Sequence, residues 1–218
     1  MMSRKTFARA LAAASLLCAS AASHATFVVY NTEASFLAAV SAPGTDTFSG
    51  FLVTGTTPSP IVRTAGAYGY TASVDSSTFF GAGTVADPWL STNEALANIT
   101  FNTFSPAVSA IGGFFFGSDI NGQFLPGISI TLVATDADGS LIETISNSTE
   151  NSFRGFVSTG PLTSLTVTAV QPSSPAWPTV EDLTLAEARA AAVPEPESAA
   201  LLLAALGLMG TMAGRRRN

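Results

Sequence analysis

Between Thr26 and Val193 the residues able to do chemistry are carboxylates and a few aromatics, because the only Cys (Cys18) and the only His (His24) both precede this segment. Ser-His-Asp or Cys-His nucleophilic catalysis is therefore excluded for the segment, as is a zinc site built from those ligands. In "ATDADGSLIETI", Asp136, Asp138 and Gly139 form a D-x-D-G. Clustered carboxylate oxygens of this kind ligate a hard cation, which makes Asp136 and Asp138 the metal candidates and calcium the one candidate cofactor. Asp-Gly also supplies the positive φ of a tight hairpin. No third ligand and no closing Glu complete an EF-hand loop, so the turn is the stronger reading.

Two carboxylates across a cleft suffice for glycoside hydrolysis, and thirteen acidic residues offer many pairs. Glu181 and Asp182 in "VEDLTL" are adjacent, and adjacent strand residues project to opposite faces, which argues against them as a catalytic pair. The reading is that the protein is not an enzyme. Sugar binding is the stronger rival to a purely structural role. Exposed aromatics stack on sugar rings, and Trp89, Trp177, Tyr68 and Tyr70 lie in or near loop-rich stretches such as "ADPWLST" and "SPAWPTV". They are the candidate ligand-binding residues, although tryptophan in such a domain is more often core than platform.

The elements that must position these groups read as strands. "TFVVY" opens the segment, and Asn31 or Thr32 can cap a helix through Val40 whose buried face is Phe36, Leu37 and Val40. From Pro43 to about Leu185, runs rich in Val, Ile, Thr and Phe alternate with Gly, Ser, Asp and Pro. The predicted strands are "TDTFSGF", "YGYTASV", "NITF", "AVSAIGGFFFG", "ISITLVAT", "SLIETI", "FRGFVS", "LTSLTVTAV" and "VEDLTL". In "ISITLVAT", Ile128, Ile130, Leu132 and Ala134 face one way and Ser129, Thr131 and Thr135 the other, with Val133 the exception. Such strands with one short helix predict an all-β antiparallel sandwich, jelly-roll-like, over residues 26–185. The Phe114-Phe115-Phe116 triple fits a strand buried on both faces or an inter-sheet contact.

The ends say where the protein goes. Residues 1–25 have a basic start (Arg4, Lys5, Arg9), an apolar stretch and small residues before the boundary after Ala25, the layout of a cleavable secretory signal. Residues 186–197 read as a linker rich in Ala, Glu and Pro. Residues 198–218 read as a hydrophobic helix with a basic end. Its sixteen uncharged residues from Ser198 to Ala213 make a helix of about 24 Å, short against a hydrocarbon core of ~30 Å. Arg215, Arg216 and Arg217 hold that end in the cytoplasm and leave the sandwich outside. The segment from Thr26 to Val193 carries three basic against thirteen acidic residues, a net charge of −10. Such a surface repels phosphate backbones, which excludes nucleic acid as a partner.

Val193-Pro194-Glu195-Pro196, the apolar run and the three arginines together closely resemble the PEP-CTERM sorting signal of Gram-negative bacteria. The resemblance covers residues 193–218 and implies an exosortase-type membrane transpeptidase as partner. It implies transient insertion in the inner membrane through the C-terminal helix, and processing near the Pro-Glu-Pro. It also implies release to the cell surface or extracellular matrix, with exopolysaccharide as a candidate partner. The segment before it is similar to the sandwich ectodomains attached to this signal, whose activity is mostly unassigned. The expected function is a non-catalytic structural component of the surface or exopolysaccharide matrix; the alternative is a carbohydrate-binding or calcium-assisted adhesion module.

Overall fold

A computed structural model of the protein describes residues 26–189. The expected signal stretch 1–25, most of the expected linker, the sorting residues Val193 to Pro196, and the expected C-terminal helix with Arg215 to Arg217 lie outside the described residues. Among the described residues no helix is long and apolar enough to cross a membrane.

The chain starts with β1 (Phe27–Tyr30) and a helix α1 (Glu33–Ala39). Thr32 caps the helix, its Oγ1 accepting from the Ser35 N–H at 3.3 Å, with Glu33 in the first turn where the helix dipole favours an acid. The helix is shorter than expected. Val40 is extended and opens β2 (Val40–Asp46), and Leu37 is exposed, so Phe36 alone is buried from the helix. The thirteen strands that follow are β3 (Thr56–Pro58), β4 (Ile61–Ala65), β5 (Tyr68–Val74), β6 (Thr78–Gly83), β7 (Pro88–Thr92), β8 (Ile99–Ser105), β9 (Ala110–Ser118), β10 (Phe124–Leu125), β11 (Ser129–Asp136), β12 (Ser140–Ile145), β13 (Phe153–Ser158), β14 (Leu162–Val170) and β15 (Trp177–Ala188).

The strands form two antiparallel sheets. One runs β1-β13-β9-β15-β7-β6-β3, with β10 on β9 and β2 beside the C-terminal half of β15; the other runs β12-β11-β14-β8-β5-β4. After β5 the chain passes back and forth between the sheets, which makes the sandwich jelly-roll-like as expected. The two inner faces meet in one core. The six-stranded sheet contributes Tyr70, Phe101, Leu132 and Leu165, and the nine-stranded sheet contributes Phe79, Leu90, Phe115 and Val180. Burying each such side chain stabilises the fold by roughly 1.5–3 kcal/mol, which is what holds together a sandwich that contains no cysteine.

Two expectations are corrected. "TDTFSGF" is not a strand: the chain leaves the sheet after Asp46, whose Oδ1 accepts from the Phe48 N–H at 2.8 Å, and Phe48 takes φ 52°. The linker does not begin at residue 186, because β15 continues to Ala188, with Glu187 and Ala188 opposite Ser41 and Val40 of β2. Strands β3, β4, β6, β7 and β10, and most of β2, escaped the pattern reading. All five residues of β7 are buried, so no alternation marks it.

The two outer faces differ in character. On the nine-stranded sheet α1 covers β13 and β9, with Phe36 seated over Gly155 and Gly112. A Cβ on Gly155 would collide with the Phe36 ring, which accounts for the glycine inside "FRGFVS". No described element covers the outer face of the six-stranded sheet. The strand register aligns its outward residues in ranks across the strands: Thr144, Thr131 and Thr168 in one, and Ile142, Val133, Thr166, Thr100 and Ser73 in the next. A third rank holds Ser140, Thr135, Ser164, Asn102 and Thr71.

Candidate functional site

Of the four candidate aromatics, the structure brings one to a surface cavity. Tyr68 and Tyr70 alternate with Gly69 and so face the core from β5, where both are buried. The Tyr70 hydroxyl donates to Asp46 Oδ2 at 2.6 Å and the Tyr68 hydroxyl to the Ala42 carbonyl at 3.0 Å. Asp46 also accepts two bonds of 2.7 Å from Arg63, through Nε and Nη2. Burial and the Asp46 charge push the Tyr70 hydroxyl far above its ordinary range, so it stays neutral. The tyrosines are corrected from sugar platforms to structural residues of this buried network.

Trp89 is likewise corrected. It lies in β7 rather than a loop, is 7% exposed, and meets Phe116 edge to face with ring centroids 4.9 Å apart. Phe114, Phe124 and Phe80 pack around that cluster on the outer side of the nine-stranded sheet. The Phe triple is thereby explained: Phe115 fills the inter-sheet core, while Phe114 and Phe116 serve the outer cluster.

Trp177, the first residue of β15, lines a cavity of about 160 Å³ together with Phe80, Ser91, Thr92, Asn93, Asp119 and Ile120. Register puts Phe80, Ser91 and Trp177 on one side of the sheet, since Ser91 pairs with both Phe80 and Thr179, and Trp177 pairs with Ser118. Beside it lies a buried hydroxyl cluster. Thr179 Oγ1 donates to Ser118 Oγ at 2.8 Å, and Ser91 Oγ donates to the Pro178 carbonyl at 3.0 Å. The rim is held by a turn in which Asp119 Oδ1 accepts from the Asn121 and Gln123 N–H groups, both at 2.9 Å. Gly83 N–H ties that turn to β6 by donating to the Gly122 carbonyl at 2.9 Å. Two aromatic walls with amide, carboxylate and hydroxyl groups between them can stack a ring and bond its substituents. Of this set only Trp177 was predicted. The signal overlooked was "SDINGQ", where Asp followed by Asn-Gly marks a turn that brings Asp119 beside the sheet.

Asp136 serves the turn between β11 and β12. Its Oδ1 accepts from the Asp138 and Gly139 N–H groups at 2.9 and 3.0 Å, and its Oδ2 accepts from Ser158 Oγ at 2.6 Å. Burial alone would raise its pKa, but the bond from Ser158 and the two backbone bonds outweigh that and leave it lowered. Both carboxylate oxygens thus have protein donors in this geometry. Among the described residues no group of three or more His, Cys, Asp or Glu is arranged to hold a metal ion.

Glu181 and Asp182 depart from the alternation argument. A bulge interrupts β15 between Glu181 and Thr184, with Asp182 at φ 50°. Val180 and Leu183 both enter the core, so the two acids between them lie together on the outer side, half-buried. Burial, then Asp87 and Asp182, push the Glu181 carboxyl up to about 7. Burial, then Glu33, Asp87 and Asp46, raise Asp182 as well. A bulge is invisible to period-two reading, which is why the sequence separated these residues.

Residues 192–217 match the family described as PEP-CTERM protein-sorting motif. That motif implies export and exosortase-mediated sorting. No curated protein matches the sequence. Among solved structures, a family 6 carbohydrate-binding module is 16% identical with a TM-score of 0.31, the match covering 59% of this chain and 94% of that one. An alanine mutant of a family 29 carbohydrate-binding module is 11% identical with a TM-score of 0.31, covering 76% of this chain and 88% of that one. A further family 29 module is 11% identical with a TM-score of 0.30, covering 76% and 91%. Likeness at this level carries no statement about what this chain binds.

Proposed function

We propose that this chain, which carries a PEP-CTERM protein-sorting motif at residues 192–217, is a non-catalytic structural component of the cell surface or exopolysaccharide matrix. The observation that carries the reading is the sorting motif itself, placed behind a domain whose segment lacks cysteine and histidine. An exosortase is the partner that would process the tail, after the C-terminal helix has held the chain in the inner membrane. The sandwich would then be delivered outward, with its acidic surface keeping it soluble. Fractionation of cells with and without the exosortase tests this. The protein is expected in the surface or matrix fraction only when the exosortase is present. An identical distribution in both strains would overturn it.

A second reading is favoured by one specific observation, the Trp177 cavity. Its aromatic walls and its Asn93 and Asp119 rim suit a single sugar ring, since the volume of about 160 Å³ lies below the ~300–1,000 Å³ of clefts that take larger ligands. In this reading the protein is a carbohydrate-binding module of the matrix. A glycan array probed with and without calcium tests it: a saturable signal lost in Trp177→Ala supports the cavity. Silence under both conditions removes this reading, and loss on chelation would make the binding calcium-assisted.

A further inference from the structure

We propose that the outer face of the six-stranded sheet is a contact surface for uncharged polysaccharide, an inference that rests on the matrix role proposed above. The face is unusual for this protein in what it lacks. Its outward strand positions carry no charged residue, in a segment with a net charge of −10. The three basic and thirteen acidic residues between Thr26 and Val193 all lie at other positions. The charges of these strands go elsewhere: Arg63 of β4 pairs with Asp46, Asp136 of β11 accepts from Ser158, and Glu143 of β12 lies 3.9 Å from Arg154 of the other sheet. Asp75, just past β5, stands at the margin of the face, where it accepts from Asn98, the acceptor of the Thr168 hydroxyl.

What the face presents instead is hydroxyl groups in ranks. Neighbouring strands are about 4.8 Å apart and same-face residues about 6.8 Å apart along a strand, so the Ser and Thr side chains form a two-dimensional grid. Some hydroxyls meet their neighbours, as in Thr100 with Thr166 at 3.3 Å and Thr135 with Ser140 at 2.9 Å. Each hydroxyl has one donor and two acceptor sites, so such contacts leave capacity for a ligand. The exposed Val62, Ile142 and Val170 interrupt the grid and offer apolar contact at its margins and between ranks.

This composition discriminates between partners. Protein interfaces depend on Trp, Tyr, Phe, Met and Arg anchors, and none projects from this face. A lipid surface would call for a basic or strongly apolar face. The net charge of the segment repels anionic polymers. A neutral polymer of hydroxylated rings matches on both counts, since its hydroxyls donate or accept as the protein grid requires and no charge must be stripped of water. Each bond replaces one to water and adds little, so affinity would come from one chain crossing several ranks.

The test is affinity electrophoresis of the full-length protein through gels containing dextran or hydroxyethylcellulose, with alginate as the anionic control. Variants Thr131→Val, Thr135→Val and Thr166→Val, singly and combined, remove a hydroxyl from each rank while keeping β-branched residues suited to a strand. The expected result is retardation by a neutral polymer but not by alginate. The combined variant should weaken it at least tenfold with an unchanged melting temperature, and the single variants should give graded losses. No retardation by either neutral polymer would overturn the proposal. So would loss in Trp177→Ala but not in the valine variants, or a concentration-dependent dimer that the valine variants abolish. If the protein reaches the matrix yet is not retarded, the face proposal fails and the matrix reading stands. If it is retarded yet never leaves the cell envelope, the reverse holds.

Discussion

Replacing Glu181 by Gln should make the domain more stable at alkaline pH while leaving it almost unchanged in acid. The Glu181 carboxyl titrates at about 7 in the folded protein, against 4.5 for an unperturbed glutamate, chiefly through burial and then through the Asp87 and Asp182 charges. The folded state therefore holds a proton that the unfolded chain has already released between those values. Stability from this group is complete below 4.5 and is lost as pH rises through 7. The full gap corresponds to about 3 kcal/mol, but Glu181 is only half-buried, and solvent screening reduces that to about 1–2 kcal/mol. For a domain of this size that is a melting difference of ~2–8 °C at pH 8. Asp182, raised in the same direction, leaves the variant a shallower slope of the same sign. Thermal unfolding of wild type and Glu181→Gln from pH 4 to pH 9 by circular dichroism gives the comparison. Parallel curves, with the same offset at pH 4 and pH 8, would refute the reading that the bulge forces these carboxyls together.

Three other outcomes follow from named contacts. Asp46→Ala leaves the half-buried Arg63 guanidinium and the Tyr70 hydroxyl without their acceptor, and should destabilise the fold by about 3–5 kcal/mol in denaturant titration; a loss under 1 kcal/mol would show that the pair is dispensable. Gly155→Ala drives a Cβ into the Phe36 ring and should cost about 1–3 kcal/mol, recovered in part by Phe36→Leu in the same chain, measured as a double-mutant cycle. Asp136→Asn removes a carboxylate whose lowered pKa reflects three native hydrogen bonds; wild-type stability from this group should fade as pH drops below the ordinary aspartate range, and the variant should lose that acid dependence in pH-resolved melting.

Much of the fold was legible because most strands of the six-stranded sheet keep one face in the core and one in water. β11 follows the period-two reading residue by residue, with Ile130, Leu132 and Ala134 buried and Val133 the outward apolar exception. β12, β13 and β14 begin and end at the predicted residues. Legibility failed where burial is two-sided or the backbone breaks its period. Nothing exposed marks β7, so Trp89 read as a loop residue and is instead half of an edge-to-face pair. Tyr68 and Tyr70 looked like platforms because tyrosine is amphipathic; their hydroxyls are satisfied inside, by Ala42 and Asp46, which no spacing rule reveals. The cavity was half visible. Trp177 stood out by type, whereas Phe80, Asn93 and Asp119 come to it from three segments that only the sheet order brings together.

The most direct measurement of the central claim is the intact mass and location of the exported protein with Pro194→Ala, Glu195→Ala and Pro196→Ala combined, beside the unaltered chain. The unaltered protein is expected to lose its C-terminal segment near the motif and to be recovered at the surface or in the matrix, while the triple variant keeps its full C-terminus and stays with the membrane. Equal masses and equal locations for the two would contradict it and leave the tail as an anchor rather than a sorting signal.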